Sequence, residues 1–140
     1  MVDIRPIEIE LPQLTFVKGS ILALPFPNES IESLSCLCVI EHIGLGRYGD
    51  EIDSFGGEKA IKEITRVLKV GGILLFSVPV DEKNKVFFNA HRAFTRDYII
   101  ALFAEFEMLE ERYQYGNKLY EKYRTALGFG TGLFMFKKLR

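Results

Sequence analysis

Cysteine is scarce in this chain: of 140 residues, only Cys36 and Cys38 carry a thiol. Two residues apart in an extended run, their side chains share a face but lie about 6.5–7 Å apart along the strand. That is too far for a disulfide, so free buried thiols in a reducing cytoplasm are expected. No apolar run approaches the roughly 18 residues of a membrane-spanning helix. The acidic start MVDIRPIEIE has no hydrophobic signal segment. An excess of charge is missing too. With 18 basic and 19 acidic residues the net charge is −1, so no nucleic acid is expected as a partner drawn by bulk charge. The acidic loop from Gly44 to Phe55 lacks the alternating oxygen ligands of a calcium loop, and no metal is expected. A glycine-rich turn between an early strand and its helix is absent. The one Gly-x-Gly-x-Gly spacing, Gly128 to Gly132, comes late with no helix after it and reads as a turn into the last strand.

What is present describes a packed globule. Hydrophobic residues make up 48% of the chain and aromatic residues 13%, and a chain of this size buries roughly two thirds of its unfolded surface as one domain, residues 1–140. Val2-Asp3-Ile4 reads as the end of a strand closed by Pro6, and Leu14 to Val17 as a second strand. A turn at Leu24 to Ser30 precedes a continuous apolar strand, Leu34 to Ile40, of the kind covered on both faces. The helix from about Glu58 to Lys69 places Ile61, Ile64, Val67 and Leu68 on one face, and Gly71 suits its C-terminal cap. A strand from Ile73 to Val78 follows directly. Thr95 is a good N-cap for a helix through about Phe103. Glu107 to Tyr115 alternates as a strand, the Gly116-Asn117 turn leads to a loop or short helix over Lys118 to Leu127, and Gly132 to Leu139 pairs antiparallel with Glu107–Tyr115. Strand, crossover, strand, helix, strand is the grammar of a parallel sheet with covering helices.

The stretch GSILALPFPNESIESLSCLCVIEHI, with KAIKEITRVLKVGGILLFSVPV after it, resembles the middle and C-terminal part of a class I S-adenosylmethionine-dependent methyltransferase. EHIGLGRYGD at Glu41 to Asp50 and NAHR at Asn89 to Arg92 resemble a methyltransferase-like domain of unknown function. The resemblance covers roughly Asp3 to Phe106. It implies a Rossmann-like α/β sheet, mostly parallel with an antiparallel last strand, here lacking the first strand, the first helix and the glycine-rich turn.

By the same resemblance S-adenosylmethionine is the cofactor. Asp3 falls where a carboxylate accepts two hydrogen bonds from the ribose hydroxyls. Ser20 stands where the family usually has an aspartate on the adenine amino group; a neutral hydroxyl makes that contact weaker. Ile21 would meet the ring through its backbone and Leu22 by packing, while Cys38 and Val39 would support the methionine end. Glu41 and His42 close a central strand at its carboxyl end, where open α/β sheets bind ligands. His42 or His91 would serve as general base; alternatively His42 hydrogen-bonds the following loop. Arg47 and Tyr48 would reach an anionic or sugar-like acceptor, or anchor the loop. Asn89, His91 and Arg92 would face the acceptor pocket, or cap the next helix.

Three outcomes are compatible with these residues. One is a methyltransferase acting on a small-molecule or saccharide-type acceptor. Another is a non-catalytic, methyltransferase-like binding or scaffold protein. The third is a truncated fragment unable to bind cofactor. A sheet without its first strand exposes two edges, so association is expected: a homodimer, a strand swap or a partner chain that completes the sheet.

Overall fold

The computed structural model describes residues 1–8 and 10–140. Strand β1 (Val2–Asp3) pairs in parallel with β2 (Val17–Lys18) as a small separate ribbon. The main sheet is built from β3 (Ile31–Leu37), β4 (Leu68–Val80), β7 (Phe106–Tyr115), β8 (Lys118–Tyr120) and β9 (Gly130–Lys138). Its spatial order is β3-β4-β9-β7-β8. The β3–β4 contact is parallel, and the expected antiparallel last strand is β9, which pairs with both β4 and β7. Strands β5 (Lys85–Val86) and β6 (Arg92–Ala93) form a short antiparallel ribbon above β4.

Helix α1 (Gly56–Val67) crosses from β3 to β4, the right place for the linker between two parallel strands. Ala60, Ile61 and Ile64 share a buried core with Leu74, Phe76, Val78, Phe134 and Phe136, and Val67 is buried as well. Helix α2 (Arg96–Leu102) adds Ile99 to the same core, and its N-cap Thr95 accepts a hydrogen bond from the Tyr98 amide, as its sequence requires. Register puts Leu34, Cys36, Leu74, Phe76, Phe134, Phe136 and Tyr113 on this one sealed face. The opposite face carries Leu37, Leu75 and Leu133, exposed by 58%, 42% and 37%. No described helix covers it.

Several boundaries differ from expectation. Of the Leu14–Val17 strand only Val17 pairs with β1, together with Lys18, while Leu14 bridges back to Leu11. Strand β3 starts at Ile31 and stops at Leu37, because Cys38 turns into the left-handed region at φ +52 and Ile40–His42 coil into a single 3-10 turn. Cys38 therefore leaves the strand: Cys36 is buried and Cys38 exposed, and both are free. Helix α1 ends at Val67, not Lys69, and Gly71 is not its cap. Leu68 is already extended, and Gly71 lies within β4 at φ +80, where the pairing with β3 shifts register. Lys118–Tyr120 is a strand closing a hairpin on β7 rather than loop or helix.

Candidate functional site

The carboxyl ends of β1, β2 and β3 gather around one cleft of about 560 Å³. It is lined by Asp3, Ser20, Ile21, Leu22, Cys38, Val39, His42 and Tyr48, so every residue assigned to cofactor binding reaches it. The cleft has a polar mouth at these strand ends and apolar walls of Val2, Leu24, Phe26, Ile31, Leu34 and Ile64 further in.

Asp3 does not stand free at the mouth. Its two carboxylate oxygens are held by Arg5 Nη2 at 2.9 Å and Nε at 3.1 Å, and the Arg5 amide also donates to Oδ1 at 2.9 Å. These bonds to Arg5 hold the carboxyl down at about 2. The Ser20 hydroxyl accepts the Leu22 amide at 3.1 Å, a local turn bond that uses one of its lone pairs. Burial pushes the Cys36 thiol up to about 12 and raises Cys38 as well, so neither is a ready nucleophile.

The histidine of the Glu41-His42 pair is fixed by a residue far away in sequence. His42 Nδ1 lies 3.0 Å from the Ala90 carbonyl. A carbonyl only accepts, so Nδ1 carries the proton and the neutral ring keeps its lone pair on Nε2. Arg47 Nη1 donates to the same carbonyl at 2.8 Å, and Asn89, at φ +49, turns the chain that presents it. Tyr48 stacks edge-on against His42 at 5.5 Å, with the Arg5 and Arg47 guanidinium groups over its ring at 5.7 and 5.5 Å.

Glu41 does not line the cleft but stays beside the His42 ring. It is 2% exposed, its Oε1 lies 3.8 Å from His42 Nε2, and its Oε2 has no hydrogen-bond partner. Burial pushes its carboxyl up to about 7. His91 packs against Phe87 at 5.1 Å and Phe129 at 5.6 Å, which also touch each other, and lies 6.2 Å from His42. Its Nε2 is buried without a partner. Burial, then the charges of His42 and Arg47, hold it below the usual histidine range.

Two residues assigned to the acceptor are engaged elsewhere. Arg92 donates to the Ile43 and Asp53 carbonyls and clamps the two ends of the 44–53 loop. Asn89 is exposed, and its backbone turn is its visible contribution. The sequence reading missed Arg5 as the partner of Asp3, although a cation two residues from a carboxylate was a signal. It also missed the Ala90 carbonyl, for which no side chain gives a signal.

The architecture is that of the class I methyltransferase fold. Solved structures with this fold include an S-adenosylmethionine-dependent methyltransferase of Thermotoga maritima, 22% identical with a TM-score of 0.61, matched over 89% of this chain and 64% of that one. A second is the partner of the Haloferax volcanii Trm112 methyltransferase activator, at 16% identity and TM-score 0.63, over 94% and 64% of the two chains. A third is the Burkholderia thailandensis 1,6-didemethyltoxoflavin-N1-methyltransferase with bound 1,6-didemethyltoxoflavin and S-adenosylhomocysteine, at 15% identity and TM-score 0.61, over 99% and 60%. The chain thus spans less than two thirds of the length of each of these structures. It belongs to the family described as Caenorhabditis protein of unknown function, DUF268, whose model matches residues 20–125. No curated protein matches it.

Proposed function

We propose that the chain is the cofactor- and acceptor-positioning part of an S-adenosylmethionine-dependent methyltransferase acting on a small-molecule or saccharide-type acceptor. The observation that carries this reading is convergence. Asp3, Ser20 to Leu22, Cys38, Val39 and His42 follow or close three strand ends, with Asp3 and His42 39 positions apart in sequence, and all line one cleft. The donor set fits an adenosyl ligand: a carboxylate for a vicinal diol, a hydroxyl and free backbone for adenine, apolar side chains for its faces.

When bound, the cofactor supplies an electrophilic methyl group. The chain's own residues supply position and proton transfer. Asp3, held in place by Arg5, takes the ribose hydroxyls by sharing oxygens that are already hydrogen-bonded. His42, with Nδ1 committed to Ala90, takes a proton from the acceptor hydroxyl or amine at Nε2. Phe87, His91 and Phe129 form a mutually packed aromatic cluster beside His42, outside the cleft lining, against which a planar or sugar ring would rest.

Titration with S-adenosylhomocysteine by calorimetry tests this reading. The expected result is micromolar binding, about −8 kcal/mol, weakened at least tenfold in Asp3→Ala. No heat at millimolar ligand overturns it. The Ser20 hydroxyl already spent on the Leu22 amide favours a second reading, a non-catalytic binding or scaffold protein. A protein partner is part of this reading, by analogy with the structurally similar Haloferax volcanii complex between a methyltransferase and its Trm112 activator.

A further inference from the structure

Among the described residues, Asp3–Arg5 is the one salt bridge with both members in the lining of the cleft. Its hydrogen-bond count matters more than its charge. An ionised carboxylate offers about four lone-pair sites, shared equally by its oxygens. On Asp3, Oδ1 takes the Arg5 amide at 2.9 Å and Nε at 3.1 Å, and Oδ2 takes Nη2 at 2.9 Å. Oδ1 is therefore full, and a single site is left on Oδ2. A vicinal diol donates a hydrogen bond to each oxygen. The carboxylate that would hold a diol is thus already held by the side chain of Arg5.

The bonds from Arg5 are not equivalent. The amide bond belongs to the backbone turn after β1 and fixes the carboxylate whatever the side chain does. The guanidinium bonds depend on a side chain that stands 61% exposed. Giving up those bonds frees a site on Oδ1 and the whole of Oδ2, enough for a diol, without loosening the amide that positions Asp3. The released cation has a place to go. The Tyr48 ring is already 5.7 Å from it and also lines the cleft. Protonation does not open the pair at ordinary pH, because the bonds to Arg5 hold the Asp3 carboxyl down at about 2.

We infer that Arg5 is a latch on the diol seat: its guanidinium occupies both Asp3 oxygens and must give them up, turning toward Tyr48, before a vicinal diol can bind there. That the diol is the ribose of an adenosyl cofactor rests on the methyltransferase reading. Arg5 thereby sets specificity as well as affinity. A ligand with a single hydroxyl at this position uses the free Oδ2 site and leaves the latch shut, whereas a ligand with a hydroxyl pair opens it. The fork that must open is an exposed ion pair, which is weak in water, so the latch lowers affinity without closing the site.

Calorimetry with S-adenosylhomocysteine on the 140-residue chain and on Arg5→Ala tests this. The variant keeps the amide bond and loses only the fork, so it should bind about two- to fivefold tighter. The gain should vanish in the Asp3→Ala background and for the 2′-deoxy form of the ligand. Raising the salt from about 0.05 to about 0.5 M screens an exposed pair. It should tighten binding to the unmutated chain and leave Arg5→Ala unchanged. In the unmutated chain labelled with nitrogen-15, the Arg5 Nε–H signal is protected by its bond to Oδ1. Saturating ligand should cost that protection, and the signal should be lost to exchange with water. This readout needs no variant to fold.

Weaker binding by Arg5→Ala overturns the inference and makes the Arg5 side chain a support for Asp3. Equal binding by the two forms, or an Nε–H signal that persists at saturation, overturns it as well. No binding to either form overturns the methyltransferase reading and takes this inference with it, so the two failures are told apart by whether ligand binds at all.

Discussion

Glu41 and His42 are neighbours in sequence with opposite fates. His42 opens on the cleft with its tautomer chosen by Ala90, while Glu41 is buried with one oxygen unpartnered. A carboxyl raised from 4.5 to about 7 by burial binds its proton more tightly folded than unfolded. The protonated form is the one the fold tolerates, so Glu41 costs nothing at low pH. Its penalty grows as pH rises from 4.5 toward 7 and is complete above that. Glu41→Gln should remove this slope and stabilise the protein at pH 8 by at most about 3 kcal/mol relative to its effect at pH 4. Urea denaturation at the two pH values measures it; an equal effect at both would show that Glu41 is ionised without penalty. The sequence marks Glu41 and His42 as a pair at a strand end. It does not divide their roles, because the division depends on a carbonyl 48 residues away.

At the scale of elements, local signals were legible and non-local ones were not. Thr95 caps α2 through its own third neighbour, so its sequence suffices. Helix α1 ends two residues before its apolar stripe suggested, for a reason that lies on the last strand. Lys138, 5% exposed, places its ammonium 2.9 Å from the Thr65 carbonyl and 2.8 Å from that of Leu68. A cation is the natural partner for a helix C-terminus. Lys138→Met should cost about 1–3 kcal/mol by leaving those carbonyls unpaired, seen as a lower urea midpoint with an unchanged slope. The loop after β3 obeys a similar rule. Gly44, at φ +78, sits where an added Cβ would lie 2.0 Å from the Asp53 carbonyl oxygen. Gly44→Ala should therefore force the loop open and release the Arg92 clamp, detectable as rapid proteolysis between residues 44 and 55. Arg92 was read as a candidate for acceptor binding because a cation beside two polar residues suggests a ligand. Only the fold shows that its partners are backbone.

For the molecule as a whole, the sheet is sealed on one face and bare on the other. The antiparallel final strand and its pairing with β7 were legible from apolar periodicity and the resemblance together. The bare face was not, because Leu37, Leu75 and Leu133 read as core in any apolar strand. Leu37→Thr should leave stability within about 0.5 kcal/mol while raising solubility, measured by denaturation and by light scattering at high concentration. A loss of several kcal/mol would mean that this face is covered in solution.

The position of β9 has one more consequence. The last strand made is the one that sits in the middle, between β4 and β7, and its Lys138 reaches back to close α1. During synthesis the β3–β4 pair and the β7–β8 hairpin leave the ribosome without the strand that joins them, so they wait as two separate pieces until β9 emerges. The two halves of the sheet therefore join only after β9 is made, and until then each exposes the apolar strand edge that β9 will cover.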